Sequence, residues 1–127
     1  MSDRLNHRIA LQAEAAAAKQ ASDRSPDQAR EYRAFCEGFP ALLRTAGLLQ
    51  SLVFLKAKGK HPHGTVLADF TAVFRQLGLL RDEEDIVAHV ARLSTGDYLT
   101  WTRIADRSAA WHKRFAQALV RRTKESH

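Results

Sequence analysis

Between Phe39 and Lys58, the apolar residues Leu42, Leu43, Ala46, Leu48, Leu49, Leu52, Val53, Phe54 and Leu55 point in nearly every direction around a helix axis. A helix that is apolar almost all round must be enclosed by others, so this segment calls for a helical bundle. At about 100° per residue only Arg44 and Ser51 share a clear polar edge. The expectation is a central helix over 39–58 with Gly47 inside it, where the missing side chain costs roughly 1 kcal/mol against Ala but admits a neighbouring backbone. Lys56, Lys58 and Lys60 suit the C-terminal dipole of that helix, and Gly59 with Pro62 stops it.

The remaining helices follow from spacing and punctuation. Ser2 to about Ser22 lacks Gly and Pro and carries a narrow stripe of Leu5, Ile9 and Ala16, which suits a helix packed along one thin edge. Ser25-Pro26-Asp27 reads as a cap and restart, opening a short helix that Gly38 would end. Val66, Phe70, Val73, Phe74 and Leu77 give a fourth helix over 65–77. The acidic run Asp82 to Asp85 suits the start of a fifth over 81–93. Gly96-Asp97 marks a stop and a new cap, after which Tyr98 to about Lys124 forms a long last helix. No segment alternates apolar and polar residues between turns, so strands are not expected. The predicted fold is all-α, a single-domain bundle of about six helices over 1–127, with a buried central helix and a long C-terminal one.

Charge narrows the function. The net charge is +6, which suits nucleic acid, an anionic membrane surface or an acidic protein partner. Met1 to Glu37 holds six Lys/Arg and six Asp/Glu, so the whole excess lies from Gly38 onward, with fourteen bases against eight acids. The basic surface therefore belongs to the later helices. Cys36 is the lone cysteine, which favours a reducing cytoplasm, and neither a targeting segment nor a membrane span is visible.

On the last helix, Arg103, Arg107, Arg114 and Arg121 fall within about 40° of one another, opposite Trp101, Ile104, Ser108, Trp111, Phe115 and Leu119. This ridge would run about 27 Å, enough to follow several phosphates of a strand. Guanidiniums there would bind salt-sensitively and without base preference. The same ridge could also be a solvated face, or could meet acids of a neighbouring copy. Lys56, Lys58 and Lys60 with Lys113 and Lys124 would extend it if the central helix ends beside the last one. The acidic run Asp82 to Asp85 suits a helix start, and would also suit the basic ridge of another copy.

No reaction chemistry emerges. His61-x-His63 flanks Pro62 with no Cys or carboxylate at ligand spacing, so no metal is expected. His112 falls near the apolar side of the last helix and reads as a packed histidine; Trp101 and Trp111 belong to the core stripe. Asp106 and Glu125 are too isolated to serve a nucleophile, and no glycine-rich phosphate loop exists. No catalytic residue, cofactor or small-molecule substrate is expected.

Two stretches carry a resemblance. The run from Phe39-Pro40 through Gly47-Leu48-Leu49-Gln50-Ser51-Leu52 to Phe54-Leu55-Lys56 is similar to the central helix of the small-subunit family of the type III-B CRISPR (Cmr) effector. Thr102-Arg103 followed by Trp111-His112-Lys113-Arg114-Phe115-Ala116 resembles that family's last helix. Ala46 stands where the family commonly has Asn before the glycine, and His112 stands where it has an aliphatic residue. The resemblance implies a non-catalytic subunit of an antiviral ribonucleoprotein. Such subunits stack with further copies of themselves beside the other Cmr subunits and line the groove of guide RNA and target RNA with a basic face, while base pairing supplies specificity. The RNA-binding candidates are then Arg103, Arg107, Arg114, Arg121, Lys113, Lys56, Lys58 and Lys60. The rival readings are a helical adaptor whose basic ridge meets an acidic partner, and a small hydrolase with an unrecognised site.

Overall fold

The computed structural model describes residues 2–122. Among them the only regular elements are six helices, α1 Asp3–Asp23, α2 Pro26–Ala46, α3 Leu48–Lys58, α4 His63–Gln76, α5 Ile86–Ala91 and α6 Thr95–Leu119. The all-α expectation holds, and the differences lie in where helices begin and end.

In α1, Ser2 Oγ accepts from the Leu5 amide at 3.1 Å, and the buried stripe is thin as expected but runs through Ile9, Ala13, Ala17 and Gln20, leaving Leu5 and Ala16 half-buried at its edge. In α2, Ser25 caps through the Gln28 amide at 3.2 Å and Pro26 occupies the first turn. This helix does not stop at Gly38 but runs through it and through Pro40. The reason is the buried series Ala29, Tyr32, Cys36, Phe39 and Leu43, which continues at helical spacing on both sides of the glycine. A mid-helix Gly costs only about 1 kcal/mol, less than burying one large side chain gains.

The break comes at Gly47 instead, at φ +84°, a backbone conformation L side chains rarely adopt. Gly47 caps α2 at its C-terminus and opens α3 with no side chain to receive the first amides. Tyr98 of α6 supplies what is missing: its hydroxyl accepts from the Leu49 amide at 2.9 Å. The expected central helix is therefore divided. Its second half, α3, buries Leu48, Ser51, Leu52 and Leu55 but leaves Val53 45% and Phe54 38% exposed. Gly59 then ends α3 in the left-handed conformation, as the sequence suggests.

Asp85 alone caps α5, accepting from the Ala88 amide at 3.0 Å, so Asp82 to Glu84 precede that helix rather than fill its first turn. Ser94 starts α6 by accepting from the Asp97 amide at 3.2 Å, which places Gly96 in the first turn instead of before it. At the other end α6 stops at Leu119, where Arg33 of α2 donates to the carbonyls of Gln117 (3.1 Å) and Val120 (2.8 Å). These are acceptors a helix C-terminus leaves open, and a cation there also suits the dipole. Lys124 and Glu125 lie outside the described residues.

α6 packs mainly against α1 and α2, while α3 packs against α4, α5 and α2. All six helices feed one core cluster, with Phe74 stacked on Trp101 at 4.0 Å and Phe70 on His112 at 5.2 Å. Among the described residues no helix is long and apolar enough to cross a membrane.

Candidate nucleic-acid interface

The buried stripe of α6, Trp101, Ile104, Ala105, Ser108, Ala109, His112 and Ala116, fixes the rotation of the helix about its axis. Arg103, Arg107 and Arg114 consequently face solvent, and none forms an ion pair or a hydrogen bond with the described residues. Over that span the row is about 16 Å long at 1.5 Å per residue. The Arg114 guanidinium lies 5.7 Å from the ring centre of Trp111, whose indole N–H donates to Asn6 Oδ1 at 3.0 Å. A flat cation resting on an anchored indole is held more rigidly than a free arginine. The same anchoring keeps Trp111 half-buried, while Trp101 is buried.

Asp106 is the acid within the row. Burial raises its pKa, and Arg44 from the last turn of α2 opposes that shift. Arg44 is thus a further exposed cation beside this face. Local spacing places it on a different helix and gives no sign of this neighbourhood.

The fourth member of the expected ridge is elsewhere. Val120 is extended at φ −107° and ψ 128°, so Arg121 leaves the helical register and lines a groove with residues of α1 and α2. Lys113 is half-buried on the flank of the row. The lysines near the end of α3 do not join it. Lys56 pairs with Asp85 at 3.0 Å, Lys58 sits 5.8 Å over the Phe54 ring, and Lys60 is exposed in the α3–α4 turn. In the acidic run, Glu84 is engaged by the Arg81 amide (3.0 Å) and His89 Nδ1 (2.9 Å), which hold its pKa down.

His61, His63 and His112 serve structure. His61 bridges the α2 start and α4 through the Gln28 carbonyl (2.6 Å) and Thr65 Oγ1 (2.8 Å), and His63 packs between Phe35 and Phe54. Among the described residues no group of three His, Cys, Asp or Glu side chains is placed to hold a metal. His112 is packed as expected, 2% exposed, its Nδ1 donating to the Ser108 carbonyl at 2.7 Å. Burial pushes its pKa down to about 4. Between α2 and α4, Tyr32 donates to Asp69 Oδ2 at 2.7 Å. Burial raises the Asp69 carboxyl to about 6 and the neighbouring Cys36 thiol to about 12. A thiol so deactivated is no nucleophile.

A solvent-facing row of unpaired guanidiniums on a helical bundle suits a strand of phosphates. Comparison with known proteins shows the family. Residues 6–119 match the family model for the CRISPR-associated protein Cas_Cmr5. The chain belongs to the Cmr5 family. A relative from Thermus thermophilus, the CRISPR system Cmr subunit Cmr5, is 38% identical over 90 residues, 71% of this chain and 75% of that protein. The crystal structure of a CRISPR-associated Cmr5 family protein from the same organism superimposes with a TM-score of 0.77 at 31% identity, covering 95% of this chain and 100% of that one. The Cmr5 helical arrangement is thus shared along nearly the whole chain, including α3 and α6, which hold much of the two resembling stretches.

Proposed function

We propose that this chain is a single-domain, non-catalytic small subunit of a cytoplasmic type III-B CRISPR (Cmr) effector complex, and that it lines the guide and target RNA groove with the α6 face. It assembles with other Cmr subunits and with further copies of itself. Family membership supports the subunit role, and the observation that carries the RNA role is the row Arg103, Arg107 and Arg114, exposed and unpaired among the described residues. Phosphates need donors of this kind, and a row without base-reading side chains contributes affinity while pairing contributes sequence. Lys113 and Arg44 border the same face; Lys56, Lys58, Lys60 and Arg121 would meet RNA only as separate contacts.

One observation favours an adaptor as the second reading. Leu99, one turn before Arg103, is 54% exposed, and an apolar side chain there suits a protein partner. A salt series of RNA binding by the isolated chain tests the choice. Replacing Arg107 and Arg114 by Ala should keep helicity, weaken binding to single-stranded RNA, and flatten the logarithmic salt slope by up to about 0.7 for each phosphate no longer neutralised. Unchanged RNA binding together with failure to join neighbouring subunits would favour the adaptor.

A further inference from the structure

At the end of the bundle where the α1–α2 turn meets the end of α6, a groove of about 420 Å³ opens between the helices. Its floor is apolar: Ala21, Pro26, Ala29 and Leu119, the last 43% exposed although it is a large aliphatic side chain. Its rim is basic. Arg24 and Arg30, on either side of the α1–α2 turn, and Arg121, just past α6, line it. Arg30 is paired with Asp27, and Arg24 is held by Gln20 Oε1 at 2.9 Å and Thr65 Oγ1 at 3.2 Å. Arg121, displaced from the α6 register, has no hydrogen bond or ion pair among the described residues.

We propose that this groove is a docking site for a short acidic segment of another protein, one apolar side chain seated on the floor and flanking carboxylates held by the arginines. This goes beyond the RNA role of the α6 face and does not depend on it. The chemistry selects the occupant. A nucleotide would need an aromatic platform or a polar side chain to receive its base, and the groove offers neither beyond the arginines themselves. The chain's own Thr123-Lys124-Glu125-Ser126-His127 carries no apolar side chain to fill the floor. An apolar floor with the unpaired Arg121 and two further arginines at its rim matches an aliphatic or aromatic residue set beside Asp or Glu, with charge complementarity fixing the register. The volume is that of a pocket for one or two side chains rather than a whole helix.

The test uses the full chain, isotope-labelled, and a set of five-residue peptides with central Leu, Met or Phe flanked by two Asp or Glu on each side. Amide shifts should move at Ala21, Ala29, Leu119 and Arg121, with dissociation constants at roughly the millimolar level. Arg121→Glu and Leu119→Ser, both at exposed positions, should each weaken binding by about fivefold or more, while Arg103→Ala with Arg107→Ala should leave it unchanged. The proposal is overturned if no peptide moves these amides. It is also overturned if a central Ser binds as well as Leu, since charge alone would then suffice. A uridine oligonucleotide that moves the same amides when the peptides do not would assign the groove to RNA. Binding seen only after the chain is ended at Arg122 would make its own tail the occupant, which equally overturns the proposal.

Discussion

Leu52 is fully buried where α3 meets its neighbours, and Leu52→Ala removes a large side chain the surroundings cannot replace. The expected loss is about 2 to 5 kcal/mol in denaturant unfolding; a loss below about 1 kcal/mol would mean the site collapses freely. Buried His112 and half-buried Asp69 act against each other in acid. His112, depressed from about 6.5 to about 4, contributes stability that is present above pH 6.5 and lost as pH falls toward 4. Asp69, raised from 3.8 to about 6, works the other way, its charged form costing stability as pH rises from about 4 through 6. Asp69→Asn keeps an acceptor for the Tyr32 hydroxyl and leaves the His112 effect unopposed. The variant should gain stability over wild type at pH 7, and that gain should shrink toward zero near pH 4; a difference constant across this range would contradict the assignment. His112 was legible in the sequence because spacing alone set it beside Ser108 and Trp111. Asp69 was not, since nothing local marks a carboxylate that will accept from a tyrosine on another helix.

Helix boundaries were the least legible feature: the starts of α5 and α6 follow local caps at Asp85 and Ser94, and the larger errors have tertiary causes. Gly38 resembles a stop, but the stripe from Ala29 to Leu43 carries α2 across it. Gly47 resembles a tolerated interior glycine, but the chain turns there because Tyr98, far along the sequence, receives the Leu49 amide. Tyr98→Phe removes this cap while keeping the ring, and should cost about 0.5 to 1.5 kcal/mol with hydrogen exchange accelerated at the first turn of α3; unaltered exchange there would show that water serves equally well. Gly64 illustrates a close approach. A side chain at this position would meet the Gly59 carbonyl, whose carbon would lie 2.9 Å from the added Cβ. Gly64→Ala should therefore destabilise by about 1 to 3 kcal/mol, because backbone rather than a movable side chain must give way; an unshifted melting temperature would mean that the α3–α4 turn adapts.

Across the whole molecule, the bundle and the rotation of α6 were legible because an apolar stripe at helical spacing determines which residues face outward. That is why Arg103, Arg107 and Arg114 form a row as read from sequence. Arg121 departs from it because Arg33 and a buried, extended Val120 end α6 sooner than local propensity indicates. Arg44 could not be placed from spacing because its position beside Asp106 depends on how α2 crosses α6. The central claim, that the α6 face meets RNA inside the effector, is tested most directly by reconstituting the complex with the Arg103→Ala, Arg107→Ala, Arg114→Ala chain and titrating target RNA at several salt concentrations. The account predicts full incorporation of the variant, weaker target binding, and a salt slope flattened in proportion to the number of phosphates left unneutralised. Unchanged target affinity and slope in a fully assembled complex would contradict it.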